Sequence, residues 1–256
     1  MSNVIFIRRQ STPAYNPLTT AWIAATLETD LTIINALNTF EAGLISNSLT
    51  GKFNALYPFV GGTAAKHAFN FMNTATFALT FTGGWTHSAT GALPNGTNSH
   101  AATGLTPSTT LTLNDSHASA YTRTNTNTGI DVGVLSVGYT GLAARNSGNA
   151  IGNINQGLNS LVAAADSRGW FISSRTGVTT VDVYRNGASI LASTVTSTSR
   201  PTAQVYLAAR NNGGVTDVRT ARELAFSSIG SGLTSGEIST LYTLIQAFQT
   251  SLSRQV

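Results

Sequence analysis

The first clear hydrophobic pattern along the chain is helical and begins near residue 31. Five apolar side chains recur at steps of three or four residues: Leu31, Ile34, Leu37, Phe40 and Leu44. This spacing places them on one face of an α-helix. Asp30 precedes them, and its carboxylate can accept the free amide hydrogens of a first helical turn. The pattern therefore predicts a helix over residues 31–45, capped by Asp30.

Between Phe69 and Phe226 the pattern changes to alternating apolar and polar positions, with turn residues about every ten positions, as in an antiparallel β-sandwich. The alternation is clearest in residues 77–81, 110–113 and 181–190. Asn186-Gly187 predicts a two-residue hairpin turn, because both residue types tolerate positive φ. The Asn- and Gly-rich stretch 145–157 predicts a long loop.

After Phe226 the helical period returns. Thr234 and Glu237 have the spacing of a capping box, in which the hydroxyl and the carboxylate each bind an amide hydrogen of the first turn. The apolar stripe that follows consists of Ile238, Leu241, Ile245, Phe248 and Leu252. About two heptads are short for a coiled coil. We therefore expect this C-terminal amphipathic helix to dock on its own sheet or on the helix at 31–45.

The start of the chain lacks a lasting period. Residues 1–28 contain Pro13 and Pro17 among scattered apolar side chains, which predicts an arm or short strand used for attachment, followed by one domain over residues 29–256. In MSNVIFIRRQ the arginines follow the apolar residues, the reverse of a signal peptide. No apolar run nears the roughly 18 residues that a membrane span needs. The sequence predicts synthesis in the cytoplasm without membrane insertion.

Composition indicates a surface made for contact. The 256 residues are 41% hydrophobic and only 9% charged, and cysteine is absent, which removes thiol chemistry. Because monomer surfaces usually carry about a quarter or more of charged residues, a surface rich in Ser, Thr and Asn favours association with neighbours. The net charge of +4 rests on few residues, with close pairs at Arg8-Arg9 and at Arg219 and Arg222. Nucleic-acid binding is not expected, since no basic run alternates with aromatic residues.

The titratable residues do not form a catalytic pattern. Glycoside hydrolysis needs two carboxyl groups about 5–9.5 Å apart, and no glutamate has an acidic partner on a predicted strand. The glutamates are Glu28, Glu41, Glu223 and Glu237. The histidines lie in predicted loops or at strand edges, without the short spacing of zinc ligands. These are His67, His87, His100 and His117. The sequence also has no G-x-S-x-G elbow, so we expect a protein that is not an enzyme.

Calcium has no predicted ligand cluster. The aspartates outside the helix starts are isolated, whereas calcium sites combine several oxygen ligands. These aspartates include Asp131, Asp166, Asp182 and Asp217. Asp166 together with loop carbonyls is the alternative left open. No cofactor is predicted.

Two groups of residues suit a glycan, because sugars present apolar ring faces together with many hydroxyls. The first group is Trp85 and His87 in GGWTHS, and the second is Arg210, Asn211 and Asn212 before Gly213-Gly214. The alternative interpretation is structural: a tryptophan packed in the core and an ordinary Asn-Gly hairpin. These five residues are the candidate glycan-binding site.

Residues 95–123, 169–190, 205–214 and 221–248 resemble, in order and spacing, the successive strands of a laminin-G-like, concanavalin A-like jelly roll. The predicted fold is therefore a mainly β, antiparallel sandwich with an N-terminal arm and helix and a C-terminal amphipathic helix. More narrowly, NALYPFVGGTAAKH, GGWTHSATGALPNGTN and ELAFSSIGSGLTSGEISTLYTLIQAFQTSLSRQV resemble a version of this domain in virion structural proteins of tailed bacteriophages.

That resemblance implies a non-enzymatic virion protein: a capsid decoration, a head fibre or a tail component. Its implied partners are other virion proteins and further copies of the chain, with trimers frequent in such assemblies. The implied final location is the virion. The alternative is an adsorption module that recognises a host surface glycan.

Overall fold

The computed structural model describes residues 14–157 and 160–256, which fold into two β-sheets packed face to face. The described strands, in chain order, are β1 (Phe53–Tyr57), β2 (Thr80–Thr82), β3 (Trp85–Ser88), β4 (Gly91–Pro94), β5 (His100–Ala102), β6 (Ser116–Thr122), β7 (Val132–Leu135), β8 (Tyr139–Asn146), β9 (Asn149–Gln156), β10 (Leu161–Ala163), β11 (Gly169–Arg175), β12 (Val181–Arg185), β13 (Ala188–Ser193), β14 (Tyr206–Leu207), β15 (Arg210–Asn212), β16 (Val215–Asp217) and β17 (Leu224–Gly230). The mainly β sandwich predicted from the alternating pattern is confirmed.

Sheet A runs in the order β13-β12-β11-β6-β17-β4-β3, and β1 also pairs with β17. Sheet B runs in the order β10-β9-β8-β7-β14-β5-β2, and β15 pairs with β7 and β16. The pairing of β15 with β7 is parallel, whereas the successive strands along both sheets pair antiparallel. Side chains such as Val132, Leu142, Phe171 and Ile229 fill the core between the sheets.

The helices lie mostly on the outer side of sheet A. They are α1 (Pro17–Thr26), α2 (Leu31–Ser46), α3 (Ala64–His67), α4 (Pro107–Thr110) and α5 (Ser235–Ser251). A second apolar core joins α2 and α5 to sheet A, with Phe40 of α2 against Phe226 of β17 at 5.8 Å between ring centres. Because sheet A is packed on both faces, every residue of β6, β11 and β17 is buried. The predicted docking of the C-terminal helix, on its own sheet and against the helix at 31–45, is confirmed.

Local signals for helix ends and for the tight turn are confirmed. The Asp30 carboxylate accepts from Thr32 N at 2.8 Å, and Thr234 forms the capping box with Glu237. Asn186 and Gly187 adopt φ values of 51° and 77° between β12 and β13, as a two-residue hairpin turn requires.

Two predictions in the alternating region are wrong. Residues 145–157 are not a long loop, because β8 and β9 pair and turn at Ser147-Gly148, where both residues have positive φ. Residues 110–113 are not a strand. Thr110 ends the short helix α4, which starts at Pro107 because proline is favoured at a first helical position, and Thr112 forms only an isolated bridge with Asp115.

The predicted arm needs a correction as well. Residues 1–13 lie outside the described residues, but Pro17–Thr26 is a helix rather than an arm or short strand. Its Trp22 is fully buried, and the Glu41 carboxylate of α2 accepts from Thr19 N at 2.7 Å. This part of residues 1–28 therefore belongs to the folded unit, and the attachment role of the segment stays a prediction. None of the described helices is long and apolar enough to cross a membrane.

Candidate ligand-binding site

The outer face of sheet B carries a small pocket built on β8, β9 and β15. Gly152 faces sheet A, because a Cβ there would meet Val183 and Ser173. Since side chains alternate along a strand, its neighbours Ile151 and Asn153 point outward. The pocket encloses about 170 Å³. Its apolar walls are Ile130, Ile151, Leu161 and Val218.

Arg210 and Tyr139 form the polar and aromatic side of this pocket. The guanidinium carbon of Arg210 lies 5.8 Å from the centre of the Tyr139 ring, within the range of a cation–π contact. Asp217 on β16 holds the guanidinium in place with two bonds of 2.8 Å, from Nε to Oδ1 and from Nη2 to Oδ2. This pairing raises the pKa of Arg210 and lowers the pKa of Asp217. Both groups therefore stay ionised and neutralise each other.

The Tyr139 ring lies flat along the outer face because Gly141, two residues further on the same side of β8, leaves room for it. A Cβ at Gly141 would collide with the ring and its hydroxyl. Burial raises the pKa of Tyr139 to about 12, so its hydroxyl remains protonated and can donate a hydrogen bond. Sequence reasoning missed Tyr139. The signal that could have found it is a tyrosine followed at i+2 by glycine on a strand.

Asn153 supplies a directed polar group beside Tyr139. Its side-chain oxygen accepts from Gln156 Nε2 at 3.0 Å and from Ser160 N at 3.2 Å. These bonds fix the orientation of the amide, so the group that Asn153 can offer to a ligand is its side-chain N–H. Sequence reasoning missed this residue too, because it falls in the stretch predicted to be a loop.

The structure separates the three residues predicted as one group on β15. Arg210 lines the pocket. Asn211 is buried, donates to Gln204 O at 2.8 Å and accepts from Gly214 N at 2.8 Å, so it holds the hairpin together. Asn212 is exposed and donates to Asp217 Oδ2 at 3.1 Å. Of the three, Arg210 is the residue whose side chain faces the pocket.

Trp85 and His87 lie on β3, at the edge of sheet A, away from Arg210. The Trp85 indole donates to Thr82 O at 3.0 Å and packs against Phe81 with 5.0 Å between ring centres. His87 stacks on Trp85 at 6.0 Å. Both side chains are half-buried, and an open groove runs beside Trp85, Thr86 and Leu93. This groove shares no lining residue with the pocket of Arg210, so the two predicted groups do not form one site.

Two of the histidines lie deeper than predicted. His117 is on β6 in the middle of sheet A, fully buried, with its ring nitrogens on Ser231 O and Ser228 Oγ. Burial lowers the pKa of His117 to about 4. His67 is on α3 and buried, so neither of the two lies in a loop or at a strand edge.

The acidic side chains are held by internal donors. Lys or Arg side chains pair with Glu28, Asp131, Asp166, Asp217, Glu223 and Glu237. The remaining four accept hydrogen bonds from backbone amides: Glu41, Asp30, Asp115 and Asp182. Asp166, the residue left open for calcium, binds Arg168 and Arg185. Among residues 14–157 and 160–256, no group of three or more His, Asp or Glu is placed to hold a metal ion.

Comparison with known proteins supports the fold. No family model and no curated protein matches the chain. Among solved structures, the chain is similar to the botulinum neurotoxin serotype D binding domain, with 10% identity and a TM-score of 0.52 over 77% of this chain and 53% of that chain. It is also similar to a structure from work on type C neurotoxin, whose cell entry depends on interaction with two ganglioside molecules, with 8% identity and a TM-score of 0.52 over 78% and 53%.

A third similar structure is domain 4 of AbnA, a GH43 extracellular arabinanase from Geobacillus stearothermophilus, in complex with arabinotriose. It matches with 16% identity and a TM-score of 0.45 over 74% of this chain and 98% of that chain. The chain spans about half the length of the neurotoxin structures. At such identities the likeness to the two neurotoxin structures, each with a TM-score of 0.52, shows a shared β-sandwich fold, and the bacteriophage context stays a prediction.

Proposed function

We propose that this chain is a non-enzymatic glycan-binding domain whose ligand enters the pocket lined by Tyr139 and Arg210. The observation that carries the proposal is the Arg210 guanidinium held over the Tyr139 ring beside the Asn153 amide. An aromatic and apolar wall suits the face of a sugar ring, and amide, phenol and guanidinium donors suit its hydroxyls. Binding sites of this kind combine mostly apolar walls with a few placed polar groups.

The ligand class that fits is one neutral sugar unit. Asp217 neutralises Arg210, so the pocket offers no free positive charge to attract a carboxylate or sulfate. Its volume of about 170 Å³ equals the space of about six water molecules. That space suits a single ring, with the rest of a glycan lying outside.

The acidic side chains are bound by internal donors, and this supports glycan binding without hydrolysis. Asp217, the carboxylate beside the pocket, accepts from both Arg210 and Asn212. Glycosidases need a second carboxyl group about 5–9.5 Å from the first, with one of the two able to donate a proton. A carboxylate whose pKa is lowered by a guanidinium is a poor proton donor.

A glycan array followed by titration of the best ligand tests the proposal. Arg210→Met removes the stacked guanidinium and is expected to weaken binding at least about tenfold, the effect of one lost contact of about 1.4 kcal/mol. Arg168→Met is the matched control, since Arg168 also pairs with an aspartate but on an exposed surface. Trp85→Ala reports on the groove beside β3. The proposal fails if no neutral glycan binds, or if Trp85→Ala abolishes binding while Arg210→Met does not.

A second candidate function is a structural role in a virion, as a capsid decoration, head fibre or tail component that displays the sandwich outward. One observation favours it: three of the few charged side chains, Arg175, Arg222 and Arg254, are fully buried, which leaves an even less charged surface for contacts with neighbours. Mass spectrometry and electron microscopy of purified particles test this role, and light scattering tests the expected homo-oligomer. Absence of the chain from particles would exclude the role without affecting the glycan proposal.

A further inference from the structure

The edge strand β3 is joined to α3 by a contact between two histidines. Nδ1 of His67 and Nδ1 of His87 are 2.9 Å apart, and their ring centres are 5.0 Å apart. At this separation one nitrogen donates a hydrogen bond and the other accepts it, which two neutral imidazoles can do. If both nitrogens carried protons, two N–H groups would face each other and the bond would be lost.

The surroundings decide which ring donates. Nε2 of His67 is buried without a hydrogen-bond partner among the described residues. A buried N–H without an acceptor costs about 1–3 kcal/mol. His67 therefore keeps its proton on Nδ1, and this N–H donates a hydrogen bond to Nδ1 of His87. His87 then carries its own proton on Nε2. This assignment gives His67 the Nδ1–H tautomer.

Few other bonds hold this edge. β3 pairs with β4, where Trp85 is opposite Pro94, which has no N–H to donate. β4 in turn aligns with β17 at Leu224 and Ala92. Besides the histidine pair, two side-chain bonds among the described residues fasten the hairpin: the Trp85 indole donates to Thr82 O, and Thr90 Oγ1 donates to Glu223 at the turn. The bond between His67 and His87 therefore holds β3, the outer strand of the hairpin, to α3.

The charges around the pair oppose an added proton. Arg254, fully buried, acts on His67 through its positive charge. The other charged side chains on elements packed against the hairpin are paired with each other: Lys66 with Glu28, and Arg123 with Glu223. Burial first, and then the charges of His87 and Arg254, lower the pKa of His67 to about 3. Burial also lowers the pKa of His87.

We propose that His67 and His87 form an acid-sensitive latch: a proton taken up at Nδ1 of His87 breaks the bond to His67 and releases the β3–β4 hairpin. His67 could accept from the protonated ring only by moving its own proton to Nε2, which is buried without an acceptor among the described residues. Trp85 and Phe81 then become exposed while the rest of both sheets stays folded. The latch lies on sheet A and does not depend on the proposed glycan pocket on sheet B. It makes this edge of the sandwich responsive to acid.

Backbone hydrogen exchange from about pH 7.5 to about pH 4, corrected for intrinsic rates, tests the latch, because these pH values bracket the ordinary titration of histidine. In the unmodified chain we expect the amides of Trp85–Ser88 to lose protection at least about tenfold, which is about 1.4 kcal/mol. The amides of β11, an interior strand of sheet A, are expected to keep their protection. His87→Gln retains a neutral hydrogen-bonding group and is expected to remove the acid response of β3.

His100→Gln is the matched control. His100 is also half-buried and stacked on an aromatic ring, that of Tyr206, with a lowered pKa, and its replacement is expected to leave the response of β3 unchanged. Nitrogen-detected NMR at neutral pH is expected to show the Nδ1–H tautomer for His67. The latch is excluded if both rings are protonated only at Nε2, if His87→Gln responds like the unmodified chain, or if β3 and β11 lose protection together.

Discussion

Arg222→Met is a substitution for which the structure predicts a large loss of stability from one polar side chain. Arg222 and Asp131 are both fully buried and joined by bonds of 2.7 and 3.0 Å. The guanidinium also donates to backbone oxygens, including those of Thr128, Gly129 and Arg145. Methionine fills similar space but leaves these oxygens and a buried carboxylate without their cation.

Removing one partner of a buried ion pair costs about 3–5 kcal/mol. For a domain of this size, each kcal/mol lowers Tm by about 2–4 °C, so we expect a decrease of about 6–20 °C. Urea unfolding at neutral pH measures the loss as a lower midpoint at unchanged slope. Because Arg222 fixes the backbone next to Ile130 and Asn146, which line the pocket, glycan affinity is expected to fall in the same variant.

Two further variants make this reasoning refutable. Arg168→Met breaks the exposed pair with Asp166 and is expected to cost at most about 1 kcal/mol. Arg222→Met combined with Asp131→Asn removes the uncompensated charge and is expected to recover part of the stability. If Arg222→Met alone cost less than about 1 kcal/mol, or the double variant were no more stable than the single one, the charge argument would be refuted.

Three other outcomes follow from buried groups and helix ends. Trp22→Ala is expected to cost about 3–5 kcal/mol in urea unfolding, whereas a negligible cost would show that α1 is dispensable. Thr234→Ala removes the cap of α5 and is expected to cost about 1 kcal/mol; an unchanged unfolding midpoint would contradict the capping box. Because the folded-state pKa of His117 is about 4, below its unfolded value of about 6.5, stability is expected to fall as pH drops from about 6.5 towards 4. His117→Gln, compared by urea unfolding across this range, should flatten the fall, and an equal fall would refute the assignment.

The features that sequence predicted well depend on neighbours in the chain. The cap at Asp30, the capping box at Thr234 and the turn at Asn186-Gly187 each involve residues within a few positions, so their geometry follows from residue type alone. Residues 145–157 show the opposite case. Asn and Gly disfavour a strand locally, but β8 and β9 form because pairing and packing in sheet B outweigh that preference.

The sites show the same limit more strongly. Arg210 was predicted for its chemistry, but its partner Tyr139 lies 71 positions earlier in the chain and meets it only because β15 and β8 both flank β7. His67 and His87 are 20 positions apart and were predicted only to lie in loops or at strand edges. Their contact requires the edge of sheet A to pack beside α3. Sequence order carries no signal for either juxtaposition.

The helical layer gives the sandwich two unlike outer faces. α2 and α5 bury their apolar stripes on sheet A, so that face is closed by the chain's own helices. The chain enters the described fold beside the same layer, where Asn16 N donates to Asn38 Oδ1 of α2 at 2.7 Å. The pocket of Tyr139 and Arg210 opens on the outer face of sheet B. Contacts with neighbouring proteins through α1 and α2 and ligand binding in the pocket would therefore use opposite sides of the molecule, so the two proposed functions are compatible in one chain.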